Sequence, residues 1–333
     1  HYSASGVMNH EPLLGLPFPR LLHAKLQAAR ATGLSRLSAL GGLANTARTP
    51  FWPNPAALQA AQFFPERSID DVLRDFATRI AGEAHAPALV SAWTEFEEAL
   101  VWQPLVPLYC VFGFCWQRTW DRPFVPDLEA VPAADRVYYE QHGCFQHNNP
   151  GLNDLGRDVL FDLITRESGA KMAADMDRDL LPRLRALVEK LAGLAPRHAA
   201  FVDLHDRVRA YLHWTTTLRN VCAWCENVYG YLDSAADAAT KATCEKKLQA
   251  AIDLELANIR GLIALLETTS TEVMAVSAVG ENTFFYGENL IDHLRTKVRL
   301  TELHRHHPPR IDRDIYWRPV PGTHWPKDWE AKV

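Results

Sequence analysis

The chain has 333 residues, 47% hydrophobic and 23% charged, with a formal net charge of −5. That length accommodates more than one hydrophobic core, and the balance is that of an ordinary globular protein. Lys and Arg are dispersed, which excludes the clustered basic face of a nucleic-acid binder, and no apolar run approaches the ~20 residues of a membrane span.

The chain opens with His1, not Met, so a removed leader or the cutting of a longer protein is expected upstream. No basic region followed by an apolar stretch marks a secretory signal, which leans toward the cytoplasm. The first run, Ser5–Met8, is small and apolar and reads as a strand. It stops in Asn9-His10-Glu11-Pro12, residues suited neither to a core nor to a helix. Leu21, Leu22, Leu26 and Ala29 then recur at helical spacing, which predicts a helix over Pro19–Thr32 with Gly33 as its stop. A second strand is expected at Leu34–Gly42, a long loop at Leu43–Pro55 and a helix to about Gln62. Strand–helix–strand–helix with short links is the signature of parallel βαβ units.

Beyond residue 65 the pattern turns helical. Ser68 is a good N-cap for a helix whose Ile69, Val72, Leu73, Phe76 and Ile80 share a face. A second helix covers Ala86–Leu100, and an irregular aromatic and Pro-rich segment follows at 102–127. Further helices are predicted near Met176–Leu194, Val202–Leu232, Ala236–Leu266 and Glu288–His304, and the tail Arg310–Val333 as an ordered strap. No repeat period is evident.

Two parallel strands alone make a poor sheet. The fold class expected is therefore mainly α: the last βα units of a (β/α)8-type barrel over 1–65, then a large helical domain over 66–333. An upstream segment or a second chain would complete the barrel; the alternative is a small mixed sheet finished by extended residues around Leu105–Phe114.

Trp52-Pro53-Asn54-Pro55, Ser68-Ile69-Asp70-Asp71, Ala81-Gly82 and Ala92-Trp93, with the organisation around them, carry a resemblance over about the first hundred residues. The region resembles the closing part of certain glycoside hydrolase barrels, those of bacterial α-glucuronidases and β-N-acetylhexosaminidase-like enzymes, which continue into a helical C-terminal domain. The resemblance implies hydrolysis of an oligosaccharide or glycoside by carboxylate acid/base chemistry. It departs in one respect: catalytic carboxylates of such families commonly sit on middle strands, and those strands are not in this chain.

On a barrel, Asn9, His10 and Glu11 fall at the C-terminal lip of a strand, where such folds place their chemistry. Asn45, Arg48 and Trp52 follow the second strand at the same rim. Trp stacks on a pyranose face, while Asn, His and Arg hydrogen-bond hydroxyls or a carboxylate. Glu11 is the candidate catalytic group. A glycosidase needs a second carboxylate, and Asp121, Glu281 and Glu288 are candidates that spacing does not separate. Alternatively, Glu11 pairs with Arg20 or Arg48 and only fixes its loop.

Cys222-Ala-Trp-Cys225 lies inside a helical pattern with no second such pair, which reads as core. His304-Arg305-His306-His307 sits where a helix ends and reads as a solvated terminus complementing the dipole. No metal and no cofactor are expected. The expected partner is a carbohydrate, with no nucleic acid or membrane. The competing reading is a non-catalytic helical binding or assembly module that docks on another chain.

Overall fold

The computed structural model describes residues 14–33, 49–104, 118–127, 130–132, 134–135, 164–273 and 290–310. The protein is mainly α, with 76% of these residues helical. No strand occurs among them; one isolated parallel bridge joins Asp127 and Arg310. The strands expected at Ser5–Met8 and Leu34–Gly42, the extended piece at Leu105–Phe114 and the tail beyond Arg310 lie outside the described residues.

Among the described residues the α-helices are α1 (Pro19–Ala31), α2 (Asn54–Phe63), α3 (Ile69–Ala81), α4 (Ala86–Leu100), α5 (Arg166–Asp175), α6 (Leu181–Leu194), α7 (Ala199–Leu232), α8 (Ala238–Thr268) and α9 (Leu290–His304), with short 3-10 turns at Arg118–Trp120 and Ala195–Arg197. Their starts follow from local chemistry. Proline occupies the first or second position of α1, α2 and α4, where its missing N–H costs nothing. At α3, Ser68 Oγ accepts from Asp71 N at 3.1 Å and donates to the Asp71 carboxylate at 2.7 Å. A π turn, Met176–Leu180, precedes α6. Pro182 gives its physical cause, because a proline inside a helical run disrupts the bond to the carbonyl four residues earlier.

The chain divides into two compact units: residues 1–104, 175–215 and 265–275 form one, and 105–174, 216–264 and 276–333 the other. In the first, α1 packs on α2, α2 on α3, α3 on α4, and α4 on α6. Leu73, Leu89, Trp93, Phe96, Leu184, Leu191 and Phe201 are buried there. The pair α1 and α2 lies parallel. Asn54, the first residue of α2, accepts a hydrogen bond from Phe18 N at the start of α1. At the other end Arg30 of α1 donates to the carbonyls of Ala61 and Gln62 in the last turn of α2. That contact also complements the negative end of the α2 dipole.

In the second unit the later part of α7 packs with α8 and α9. Its core holds Leu218, Val221, Trp224, Ile252, Ile259, Leu294 and Leu300. Gly169 of α5 meets α7 at close range: a Cβ there would stand 2.7 Å from Cys222 O. At the centre lies an ion pair, Glu255 with Lys297, each side chain 1% exposed. Glu255 Oε1 also accepts from Thr217 Oγ1 at 2.8 Å, and Oε2 from Asn220 Nδ2 at 2.9 Å. Lys297 Nζ donates to Trp120 O at 2.8 Å and Thr119 O at 3.3 Å, and lies 5.3 Å from the Phe124 ring centroid. Burial pushes the ammonium down from its ordinary range, and Glu255 opposes that push.

Removing one partner of such a pair strands the other in low dielectric. Lys297→Met should lower the unfolding free energy by about 3–5 kcal/mol, measured by urea denaturation. Adding Glu255→Leu should restore a large part of the loss. A second change that only adds to the first would show that the pair is not the centre of that core.

Candidate functional site

The sequence-predicted site belongs to the two loops that lead into α1 and α2, and the structure describes their last residues. The first loop turns at Leu14-Gly15. Gly15 adopts φ +65, in the left-handed region that a side chain disfavours. Leu14 and Leu16 are fully buried, so their backbone groups need protein partners. Leu16 O accepts from Trp52 Nε1 at 2.8 Å and from Asn54 Nδ2 at 3.2 Å. With Phe18 N donating to Asn54 Oδ1 at 2.9 Å, the loops are cross-linked at the N-terminal ends of two parallel helices.

Both loops are also tied to the first part of α7. Arg207, 1% exposed, uses all five donors of its guanidinium. Nε and Nη2 meet the two oxygens of Asp203 at 2.8 and 2.9 Å. Nη1 donates to Leu14 O at 2.8 Å and Val273 O at 3.0 Å, and Nη2 to Glu272 O at 2.8 Å. Thr49 Oγ1 donates to the same Asp203 at 3.1 Å and accepts from Phe51 N at 3.2 Å.

Of the residues the sequence singles out, Asn9, His10, Glu11, Asn45, Arg48, Glu281 and Glu288 lie outside the described residues. Trp52 is half-buried, and its indole N–H fastens the loops, a role that spacing does not reveal. Arg20, the alternative partner of Glu11, pairs with Asp70 at 2.5 Å and donates to Thr94 Oγ1. Asp121 belongs to the second unit and is fully buried, beside the buried Arg122 and Lys297. His293 Nδ1 stands 3.8 Å from its Oδ2, beyond hydrogen-bond reach.

Glu97 of α4 is a feature the sequence does not announce. It is 5% exposed. Oε1 accepts from Arg20 N at 2.7 Å and Leu21 N at 2.9 Å, the orphan donors of the first turn of α1. Oε2 is buried with no hydrogen-bond partner. Burial pushes the carboxyl up to about 7 from 4.5, against the downward pull of the two N–H groups and of Arg20.

The remaining clusters carry less chemistry. Cys222 and Cys225 are buried and in no disulfide. Burial pushes the Cys222 thiol up to about 12, so it is not a thiolate at neutral pH. His304 is 7% exposed, not solvated as its place at a helix end suggests. Its Nδ1 lies 3.4 Å from His307 Nε2, and burial, then His307, hold it below its ordinary pKa. Among the described residues no group of three His, Cys, Asp or Glu side chains could hold a metal ion, and no helix is long and apolar enough to cross a membrane. No protein-family model, curated protein or solved structure matches the chain.

Folded Glu97 keeps its proton to about pH 7, whereas the unfolded chain releases it near 4.5. The folded state therefore binds more protons in that window, and this group's contribution to stability falls as pH rises through it. Glu97→Gln keeps an acceptor for the two N–H groups and removes the titration. The difference in Tm, variant minus parent, should rise from pH 5 to pH 8 in thermal melts; a difference that stays constant with pH would remove Glu97 from that role.

Proposed function

We propose that the chain is a glycoside hydrolase, or a segment of one, in which residues 1–65 form two consecutive β/α units. The loops of those units address a glycoside. The observation that carries this reading is the parallel packing of α1 and α2 with their leading loops cross-linked through Asn54, Trp52 and Leu16. The chain leaves α1 at one end, at Gly33, and re-enters α2 from the opposite end. Parallel neighbours of this kind require a return crossing. Helix α1 rises about 20 Å, a length that a strand of about six residues spans, and Leu34–Gly42 is where the sequence pattern leads one to expect such a strand. On this arrangement Asn9, His10 and Glu11 precede α1, and Asn45, Arg48 and Trp52 precede α2, on the side where β/α folds keep their chemistry.

In this reading Glu11 is one of two carboxylates flanking the scissile bond, and Asn9, His10, Asn45 and Arg48 hydrogen-bond the sugar. Trp52 offers the sugar a ring face while its N–H holds Leu16. Asp121, one of the three candidates for the second carboxylate, is fully buried.

The test uses the intact polypeptide as isolated from its source, its mass measured under denaturing conditions, against a panel of aryl glycosides and uronides. At least one should be hydrolysed, and Glu11→Gln should lower its turnover by about 10²–10⁴ with Tm nearly unchanged. Turnover of no member of the panel, or full turnover by Glu11→Gln, would overturn the assignment in favour of a helical binding module.

A further inference from the structure

The fork at Arg207 lies at the stems of the loops that the proposed function invokes. Leu14 is three residues beyond Glu11, and Thr49 directly follows Arg48. Both stems converge on one turn of α7: Leu14 O on Arg207 Nη1, and Thr49 Oγ1 on Asp203 Oδ2. The third segment on the fork, Glu272-Val273, follows α8. No donor of the guanidinium is left over, and the side chain is shielded from water.

We propose that Arg207, oriented by Asp203, is a positioning residue that sets the two leading loops in register with each other. It acts on a substrate only through the residues those loops carry, and that part of its role rests on the glycosidase reading above. The physical ground is the shape of the donor set. Two carbonyls share Nη1, so Leu14 O and Val273 O are held within a few ångströms of each other in a direction fixed by a planar group. Asp203 fixes the plane through two parallel bonds and uses the same carboxylate to receive Thr49. A movement of the first loop therefore displaces the guanidinium, and through Asp203 the second. Lysine cannot substitute, because a single ammonium presents three donors from one point and no plane.

Two readouts test this on the full chain. In native-state hydrogen exchange, Arg207→Lys should lose at least tenfold protection at Phe18 N, whose bond to Asn54 spans the two loops, while α3 and α4 exchange as in the parent. On any glycoside that the parent hydrolyses, kcat should fall at least tenfold with KM changed less than about threefold, because misaligned loops still bind but no longer orient. Asp203→Asn serves where Arg207→Lys does not fold; it keeps one acceptor and should give the same pattern in weaker form. Unchanged protection at Phe18 N would overturn the proposal, as would lost protection with kcat intact. Failure of the glycosidase reading shows separately, as absence of turnover by the parent, and the exchange measurement then decides the clamp by itself.

Discussion

A buried guanidinium that must satisfy five donors is the constraint on which the first unit depends. Arg207 is out of water, so its charge needs a counter-charge and each N–H needs an acceptor. Asp203, one helical turn earlier, supplies the first. The remaining donors have no side-chain acceptor, and three backbone carbonyls from segments far apart in sequence fill the vacancy. Those carbonyls belong to irregular chain, which has no ladder of its own to satisfy buried backbone groups. The cation and the loops thus solve each other's problem.

The second unit uses the same device with different residues. Lys297 is the buried cation, Glu255 the counter-charge, and the carbonyls of Thr119 and Trp120, in the short 3-10 turn Arg118–Trp120, the acceptors. Thr217 and Asn220 occupy the rest of the Glu255 carboxylate. In each unit a long helix fixes a segment that belongs to no long helix through a paired, fully hydrogen-bonded charge. Such pairs add little net stability over an apolar core, but they discriminate strongly against arrangements that leave one partner alone.

The residues singled out by sequence and those that organise the described structure differ in kind. Trp52 attracts attention as a stacking platform, yet its N–H fastens one loop to the other. Asp121 looks available as an acid and is entirely enclosed. His304 looks like a solvated helix end and is buried against His307. Asp203, Arg207 and Glu97 attracted none, because a charged residue on a helix ordinarily faces solvent. The one local sign was the i, i+4 spacing of Asp203 and Arg207, which is common on exposed helix faces and says nothing of burial.

By itself the sequence determined where most of the described helices run, though not α5, whose Arg166–Asp175 carries no clear apolar stripe. Proline at their first positions, Ser68 as a cap and apolar residues at 3.6-residue spacing are signals written within a few residues, and α1, α3, α4, α7 and α9 form where those signals place them. It also determined which segments hold chemistry-bearing side chains without helical periodicity. Only the tertiary structure decided what holds those segments. Phe18 has no side chain to cap α1, and Glu97 does so from another helix; Leu14 and Leu16 receive donors from Arg207, Trp52 and Asn54. A hydrogen bond between residues 36 or 193 positions apart has no local signature. It exists because folding brings a buried donor and a buried acceptor to a place with no water to satisfy either.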